Sequence, residues 1–161
     1  MNIPSKSAQF AKSVEVSGQP FDLEEVRRFL RMLAPEETQL QFQTSDDNRD
    51  RSARRTNLSR TAFGTFDEHL AWLTEANQRN AAVCVTVNKT LGGRAKHNVT
   101  AVRALMLDLD GAPLGPVQAC KLRPHVITET SPGHYHAFWR LDGLPIDSFK
   151  SCQLGLADRF D

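Results

Sequence analysis

Residues 104–111 read ALMLDLDG, and residues 128–139 read TETSPGHYHAFW. The first segment is an apolar run that ends in Asp108 and Asp110, which predicts a β-strand carrying two carboxylates. The second has the turn sequence Ser-Pro-Gly between two segments of strand character, which predicts a β-hairpin. Side chains two residues apart on a strand share a face, so both carboxylates are expected to point the same way.

The second strand of the predicted hairpin carries His134 and His136 on one face and Tyr135 on the other. Each element alone is as typical of an acidic turn or an ordinary half-exposed strand as of a functional site. If the two elements are adjacent, however, Asp108, Asp110 and His136 share one pocket. Two close carboxylates repel each other unless a cation lies between them, and Mg²⁺ or Mn²⁺ prefers such oxygen ligands. The combination indicates metal-dependent phosphate chemistry, such as nucleotidyl transfer.

The rest of the chain predicts helices mixed with strands. Residues 1–20 are polar and aperiodic, which predicts a loose N-terminal segment, and residues 44–60 predict a charged loop. Residues 21–161 predict one α/β (α+β) domain in which helices flank a sheet. Helices are expected at about 22–34, 65–79 and 145–161, and strands at 40–43 (near a sheet edge), 82–87, 103–110, 125–130 and 134–141.

The composition limits the classes of protein that fit. The chain has 161 residues and a net charge of +1, so nucleic-acid binding would depend on local basic clusters. Its three cysteines, at 84, 120 and 152, match neither a zinc pattern nor a disulfide framework, which favours reduced thiols in the cytoplasm. No apolar run approaches membrane length, so no membrane partner is expected.

Two loops hold the local basic clusters. The arginines of residues 44–60 are diluted by aspartates, which favours a solvated loop. Residues 88–98 place Arg94 and Lys96 beside Gly92-Gly93, and glycine lets backbone amides approach a phosphate closely. We therefore take Arg94 and Lys96 as candidate phosphate-binding residues, in a loop expected between the strands that flank the acidic pair. A solvated loop fits this segment equally well.

Residues from about 21 to 161 resemble the RepB-like primases of plasmids and prophages, members of the archaeo-eukaryotic primase superfamily. The strongest matches are the Asp-x-Asp element at 108–110 and the Ser-Pro-Gly-x-x-His element at 131–136, which occur in the order and at the spacing of the superfamily's first two motifs. Shorter matches lie at Phe21-Asp22, Phe29-Leu30, 33–35, 42–44, 85–88, 103–105, Glu129-Thr130 and 137–139.

The resemblance implies a divided fold whose catalytic half contains a mixed or antiparallel palm-like sheet. It implies a cytoplasmic DNA primase that uses Mg²⁺ or Mn²⁺ to make short primers from nucleoside triphosphates on a single-stranded DNA template, with a replicative helicase as a further partner. By the same resemblance, Asp108 and Asp110 would bind the metal, and His136 and Ser131 would contact nucleotide phosphates.

One feature of the superfamily has no counterpart here. The superfamily needs a third acidic residue on a strand that follows the last predicted helix, and the sequence ends in or just after that helix, at residues 159–161. The chain is therefore expected to be a catalytic domain cut before the third acidic motif, with little or no activity by itself.

Two alternative functions stay open. The chain could be a non-catalytic nucleic-acid-binding remnant that uses the same sheet. It could also be a metal-dependent nicking endonuclease, because His134-Tyr135-His136 fits the His-hydrophobic-His signature of that class. Those enzymes use a tyrosine on a separate helix, whereas Tyr135 is the chain's only tyrosine and lies between the histidines. The sequence therefore favours the nicking enzyme less.

Overall fold

The computed structural model describes residues 8–9, 22–36, 39–46, 48, 50–93 and 95–160. Apart from residues 8–9, the predicted loose segment 1–20 lies outside this part of the chain. The helices are α1 (Leu23–Leu33), α2 (Phe66–Gln78), α3 (Gly115–Gln118) and α4 (Ile146–Phe160). The strands are β1 (Ala8–Gln9), β2 (Leu40–Asp46), β3 (Arg60–Gly64), β4 (Ala81–Val85), β5 (Lys89–Thr90), β6 (Val99–Ala101), β7 (Ala104–Leu109), β8 (Val126–Ser131) and β9 (His134–Arg140).

The strands of the described residues form separate antiparallel sheets. The first sheet has the order β1-β4-β2-β3, the third has the order β7-β9-β8, and β5 and β6 form a small hairpin between them along the chain. The predicted α+β class with an antiparallel sheet is confirmed. The expectation that the basic loop joins strands flanking the acidic pair is wrong, because β4 and β7 belong to different sheets.

The strand predicted near an edge at residues 40–43 is longer and lies inside its sheet, between β4 and β3. Thr44 and Asp46, in the polar second half of this strand, are buried and form hydrogen bonds with the segment that follows it. Thr44 donates a hydrogen bond to the carbonyl of Leu58 at 2.6 Å, and Asp46 accepts hydrogen bonds from Arg55. The predicted loop at 44–60 therefore begins only after Asp46, and β3 follows it as a strand that the sequence pattern did not predict.

One hydrophobic core joins α1, α2, the first sheet and β9. Asp22 caps α1 by accepting hydrogen bonds from the backbone of Glu24 and Glu25, and the helix then buries one apolar face. Phe29 on that face meets Phe138 of β9 edge-on, with ring centroids 5.1 Å apart. Phe138 is fully buried and belongs to the same core as the apolar residues of the first sheet. Its contact with α1 therefore holds β9 against that sheet.

A second core lies on the opposite face of the third sheet. Leu107, Ala137 and Trp139 pack there against α3 and α4, and Trp139 stacks on Phe160 with ring centroids 6.2 Å apart. Helix α4 also covers the outer edge of β7, because Gln153 bonds both the N–H and the carbonyl of Met106. The second core thus covers one face of the third sheet. Phe138 and its neighbours cover one end of the other face, which leaves the remaining end of that face for polar side chains.

The ion pair between Asp46 and Arg55 fixes the segment between β2 and β3. Arg55 Nε lies 2.7 Å from Asp46 Oδ2, and the same guanidinium donates a hydrogen bond to the carbonyl of Arg79. The hydrogen bonds from Arg55 hold the pKa of the Asp46 carboxyl well below its ordinary value of 3.8. Because the pKa of this carboxyl is lower in the folded chain than in the unfolded chain, its ionised form stabilises the fold above about pH 4. This stabilisation is lost as the pH falls further.

We expect Asp46→Asn to lower the melting temperature at neutral pH and to weaken its dependence on acid. The wild-type chain should lose more of its melting temperature between about pH 6 and about pH 2 than the variant does, because only the wild type must protonate this carboxylate. Circular dichroism melts across that range measure the difference. Asp142→Asn, which changes an exposed ion pair with Arg140, is the control and should keep the wild-type acid dependence. Parallel curves for all three proteins would contradict the assignment.

Candidate active site

A row of polar side chains crosses the third sheet. Asp108 of β7 pairs in register with His136 of β9, and His136 pairs with Thr128 of β8. The distance from Asp108 Oδ1 to His136 Nε2 is 3.5 Å. The His136 side chain is 9% exposed and that of Asp108 is 23% exposed, so the contact is largely shielded from water. The predicted adjacency of the acidic strand and the histidine strand is therefore present.

The hydrogen-bond pattern of the sheet explains why this contact is close. The N–H and carbonyl of Met106 bond Gln153 on the outer side of β7, so Met106 and Phe138 are not a hydrogen-bonded pair. Two residues further on, Asp108 and His136 have the same relation. Residues opposite each other in such pairs have the shorter Cα separation, of about 4.5 Å, and their side chains are closer.

Asp110 lies one residue past β7, on the same side as Asp108. Its Oδ1 is 3.0 Å from Nδ1 of His134, and the two side chains are 83% and 45% exposed. The chain turns directly after Asp110, where Gly111 has a φ of +85° that favours glycine. The two predicted carboxylates thus share a face, one half-buried beside His136 and the other exposed beside His134.

The donor set fits a hard divalent cation in part. In the described portion of the chain, no three Asp, Glu, His or Cys side chains converge so that they alone could hold a metal ion. Two carboxylates are nevertheless sufficient protein ligands for Mg²⁺, which commonly keeps several waters and takes its other ligands from substrate phosphates. Asp108 and Asp110 are the residues here that match this mode of binding.

The other predicted site residues, Ser131, Lys96 and Arg94, are not brought together with the carboxylates in the same way. Ser131 ends β8, and its backbone pairs with His134, so it lies at the same end of the sheet as Asp110. Lys96 is exposed in the 3₁₀ turn Lys96–Asn98, and within the described part of the chain it forms no hydrogen bond or ion pair with the carboxylates. Arg94 lies outside the described residues.

Sequence reasoning missed two residues of the hairpin. Glu129 accepts a hydrogen bond from the backbone N–H of Gly133 at 3.0 Å and so fixes the turn that positions the histidines. Thr128 stands beside His136, and its hydroxyl oxygen is buried without a hydrogen-bond partner among the described residues. The sequence alone does not place Thr128 opposite His136. The pairing of β8 with β9 shifts by a residue at a bulge between Glu129 and Ser131, and the Ser-Pro-Gly turn does not reveal that bulge.

Tyr135 lies on the opposite face of β9, where it pairs with Leu109 and Glu129 and packs against the second core. The negative charge of Glu129, together with a hydrogen bond to it, raises the pKa of the Tyr135 hydroxyl above its ordinary value of 10.0. A tyrosine turned away from the carboxylates and harder to ionise is poorly suited to attack DNA. The chain's single tyrosine therefore gives the nicking-endonuclease hypothesis no nucleophile at this site.

The fold and the site together define the class, an antiparallel α+β domain with a carboxylate and imidazole centre at one end of a three-stranded sheet. The family described as the RepB DNA-primase N-terminal domain matches residues 44–161, and this chain belongs to it. No curated protein and no solved structure matches the chain at a significant level. None of the helices in the described part of the chain is long and apolar enough to cross a membrane.

Proposed function

We propose that this chain carries the nucleotide-binding centre of a DNA primase, which makes short primers from nucleoside triphosphates on single-stranded DNA in a metal-dependent reaction. Membership of the RepB DNA-primase N-terminal domain family supports the replication role. The observation that carries the site is the in-register contact between Asp108 and His136, with Asp110 on the same face. A helicase partner stays a prediction from the family resemblance.

In this proposal Asp108 and Asp110 hold Mg²⁺ or Mn²⁺ through their carboxylate oxygens. When bound, such an ion would supply positive charge that offsets the charge of the phosphates and favours ionisation of the attacking hydroxyl. The half-buried position of Asp108 excludes part of the surrounding water, which strengthens its attraction for a cation. Asp110 is far more exposed and adds a ligand at the entrance to the site.

His136 would bind the phosphates of the incoming nucleotide. Its Nε2 faces the carboxylate of Asp108, so the imidazole lies next to the place where a bound cation would bring the phosphates. A protonated ring nitrogen donates a hydrogen bond to a phosphate oxygen, and hydrogen bonds to charged groups are the strong ones. Its low exposure and its edge-on contact with Phe138, at 6.2 Å between centroids, hold the ring in one orientation.

We expect His136→Leu to weaken Mn²⁺-dependent binding of a nucleoside triphosphate by about 10- to 100-fold, because leucine cannot donate the hydrogen bond to the charged phosphate. Binding of the corresponding nucleoside, which has no phosphates, should change little. Isothermal titration calorimetry measures both ligands. His97→Leu, which changes an exposed histidine in a 3₁₀ turn, is the matched control. Equal weakening for the nucleoside and the triphosphate would argue against a phosphate contact.

One observation favours a second function, a nucleic-acid-binding domain without catalysis. His134 already lies 3.0 Å from the carboxylate of Asp110, so this acid has a partner that is not a metal ion. Under this alternative the wild-type chain binds no nucleoside triphosphate with Mn²⁺, and Asp108→Ala leaves or improves DNA binding because a negative charge is lost. Titrating the triphosphate into the wild-type chain with and without Mn²⁺ separates the two functions.

A further inference from the structure

The first sheet ends in a strand whose outer edge is open. Strand β3 pairs with β2 on one side, and within the described ranges no strand lies beyond it. The third sheet differs, because Gln153 of α4 bonds the outer edge of β7. Proteins usually shield an edge strand with a bulge, a proline, a charge or a covering segment, because an open edge pairs with other strands. Strand β3 has a regular register and no proline, and its one charged residue is Arg60.

The hydrogen-bond pattern of the sheet identifies the backbone groups of β3 that face outward. The N–H of Thr86 donates to the carbonyl of Gln41 at 2.9 Å, so the odd-numbered residues of β2 bond β4 and the even-numbered ones bond β3. The even-numbered residues of β3 therefore bond β2, and Thr61 and Phe63 direct their N–H and C=O groups outward. No hydrogen bond reaches these four groups from the part of the chain that the structure describes.

Two copies of β3 fit each other in an antiparallel register centred on Ala62. Thr61 of each copy then lies opposite Phe63 of the other, so all the outward groups of both strands are bonded at once. A shift of two residues in either direction pairs an outward residue with one that lies outside β3. At the two-fold axis Ala62 meets Ala62 in the type of pair with the shorter Cα separation, which suits so small a side chain.

The charges on one face of β3 are complementary in this register. Arg60 and Gly64 share that face, and the pairing centred on Ala62 puts Arg60 opposite Gly64 of the second copy. A Cβ added to Gly64 would lie 2.7 Å from Oε2 of Glu68, so the carboxylate of Glu68 occupies the space beside this glycine. Arg60 of each copy therefore meets Glu68 of the other, which gives two symmetric ion pairs.

Neither charge is neutralised within its own copy, as far as the described residues extend. The guanidinium of Arg60 lies over the ring of Trp72, 4.4 Å from its centroid, which orients the group but leaves its charge and its N–H donors available. Glu68 accepts a hydrogen bond from the backbone N–H of Thr65 at 2.7 Å and forms no ion pair with a basic side chain. Both Arg60 and Glu68 are exposed.

We propose that two copies of this chain associate through β3 and form one continuous antiparallel sheet across a two-fold axis. On the face opposite Arg60, Phe63 of each copy packs on Thr61 of the other. Phe63 is 59% exposed in a single copy, which is unusual for so large an apolar ring. A five-residue strand buries little area, so the Kd of the dimer is expected in the micromolar range. This association does not rest on the proposed function.

Sedimentation velocity across the micromolar range tests the association. The wild-type chain should shift from a mass of 18.0 kDa towards twice that mass as its concentration rises. Thr61→Pro removes an outward N–H from each copy and should raise the Kd at least about 10-fold, and an edge strand tolerates this proline. Thr61→Val keeps the N–H and should dimerise as the wild type does. A wild-type chain that stays monomeric throughout would overturn the proposal and leave the edge to a different protein.

The ion pairs are tested by exchanging charges between two chains. Arg60→Glu and Glu68→Arg each bring like charges together twice in a homodimer and should raise the Kd more than about 100-fold. An equimolar mixture of the two variants restores both ion pairs in the heterodimer and should recover association. Glu68→Gln keeps the capping box of α2, so its smaller loss of association does not depend on helix stability. Lys150→Glu changes an exposed lysine of α4 and should dimerise normally.

Amide hydrogen exchange locates the interface residue by residue. Above the Kd, the amides of Thr61 and Phe63 should exchange more slowly in the wild type than in Arg60→Glu at the same concentration. The amides of Ala62 and Gly64 bond β2 and should be protected equally in both proteins. Fast exchange at Thr61 and Phe63 in a dimeric wild type, or a dimer unchanged by both Thr61→Pro and Arg60→Glu, would place the interface elsewhere and overturn the proposal.

Discussion

Replacing Asp108 with asparagine is expected to abolish Mn²⁺-dependent binding of nucleoside triphosphates, while the fold is retained. The amide has nearly the shape of the carboxylate but no charge, and Mn²⁺ and Mg²⁺ depend on charged oxygen ligands. Asp108 is the better shielded of the two acids, so its loss leaves the cation with only the exposed Asp110. We expect at least a 100-fold loss of affinity, of about 3 kcal/mol, measured by isothermal titration calorimetry in Mn²⁺.

The controls for this prediction use the same chemistry elsewhere. Asp142→Asn neutralises an exposed acid whose partner is Arg140, and it should bind the triphosphate as the wild type does. Asp110→Asn should weaken binding less than Asp108→Asn, because its carboxylate is 83% exposed and a water can replace it more easily. Unchanged, metal-dependent triphosphate binding in Asp108→Asn would remove this residue from the site.

Replacing Phe138 with alanine is expected to destabilise the chain by about 3–5 kcal/mol, which is a large part of the 5–15 kcal/mol typical of a folded domain. Phe138 is fully buried, and it joins α1 to β9 through its contact with Phe29. The cavity left behind would also loosen the strand that carries His136, two residues away. Urea denaturation followed by circular dichroism measures the loss.

Leu122→Ala is the matched control for this stability experiment, because Leu122 is 76% exposed and should change the unfolding free energy by less than about 0.5 kcal/mol. Phe138→Leu should fall between the control and the alanine variant, since it keeps part of the buried volume. A loss of unfolding free energy below about 1 kcal/mol for Phe138→Ala would contradict the role of this ring in joining the third sheet to the core of the first sheet.

The sequence predicted the third sheet and its polar row well, and the reason is local. The apolar run before Asp108 and the Ser-Pro-Gly turn specify a strand and a hairpin by themselves. Alternation then places Asp108, Asp110, His134 and His136 on one face, which the structure confirms through the contacts at 3.5 Å and 3.0 Å. The roles of these residues in metal and nucleotide binding stay predictions.

The sequence predicted the first sheet less well, because its polar residues are satisfied by distant partners. Thr44 and Asp46 read as the start of a charged loop, yet Leu58 and Arg55 complete their hydrogen bonds and make them part of β2. Local pattern does not reveal such partners 9 or 14 residues away.

Asp108, Asp110 and His136 are proposed to share one metal-dependent site, and paramagnetic broadening by Mn²⁺ tests this most directly. The chain has five histidines, so the imidazole signals of a histidine-labelled sample form a small set of NMR reporters. Substoichiometric Mn²⁺ should broaden the signals of His134 and His136 first, and Asp108→Asn should remove that selectivity. Broadening that begins at His69 or His97, or that is the same in wild type and Asp108→Asn, would contradict the account.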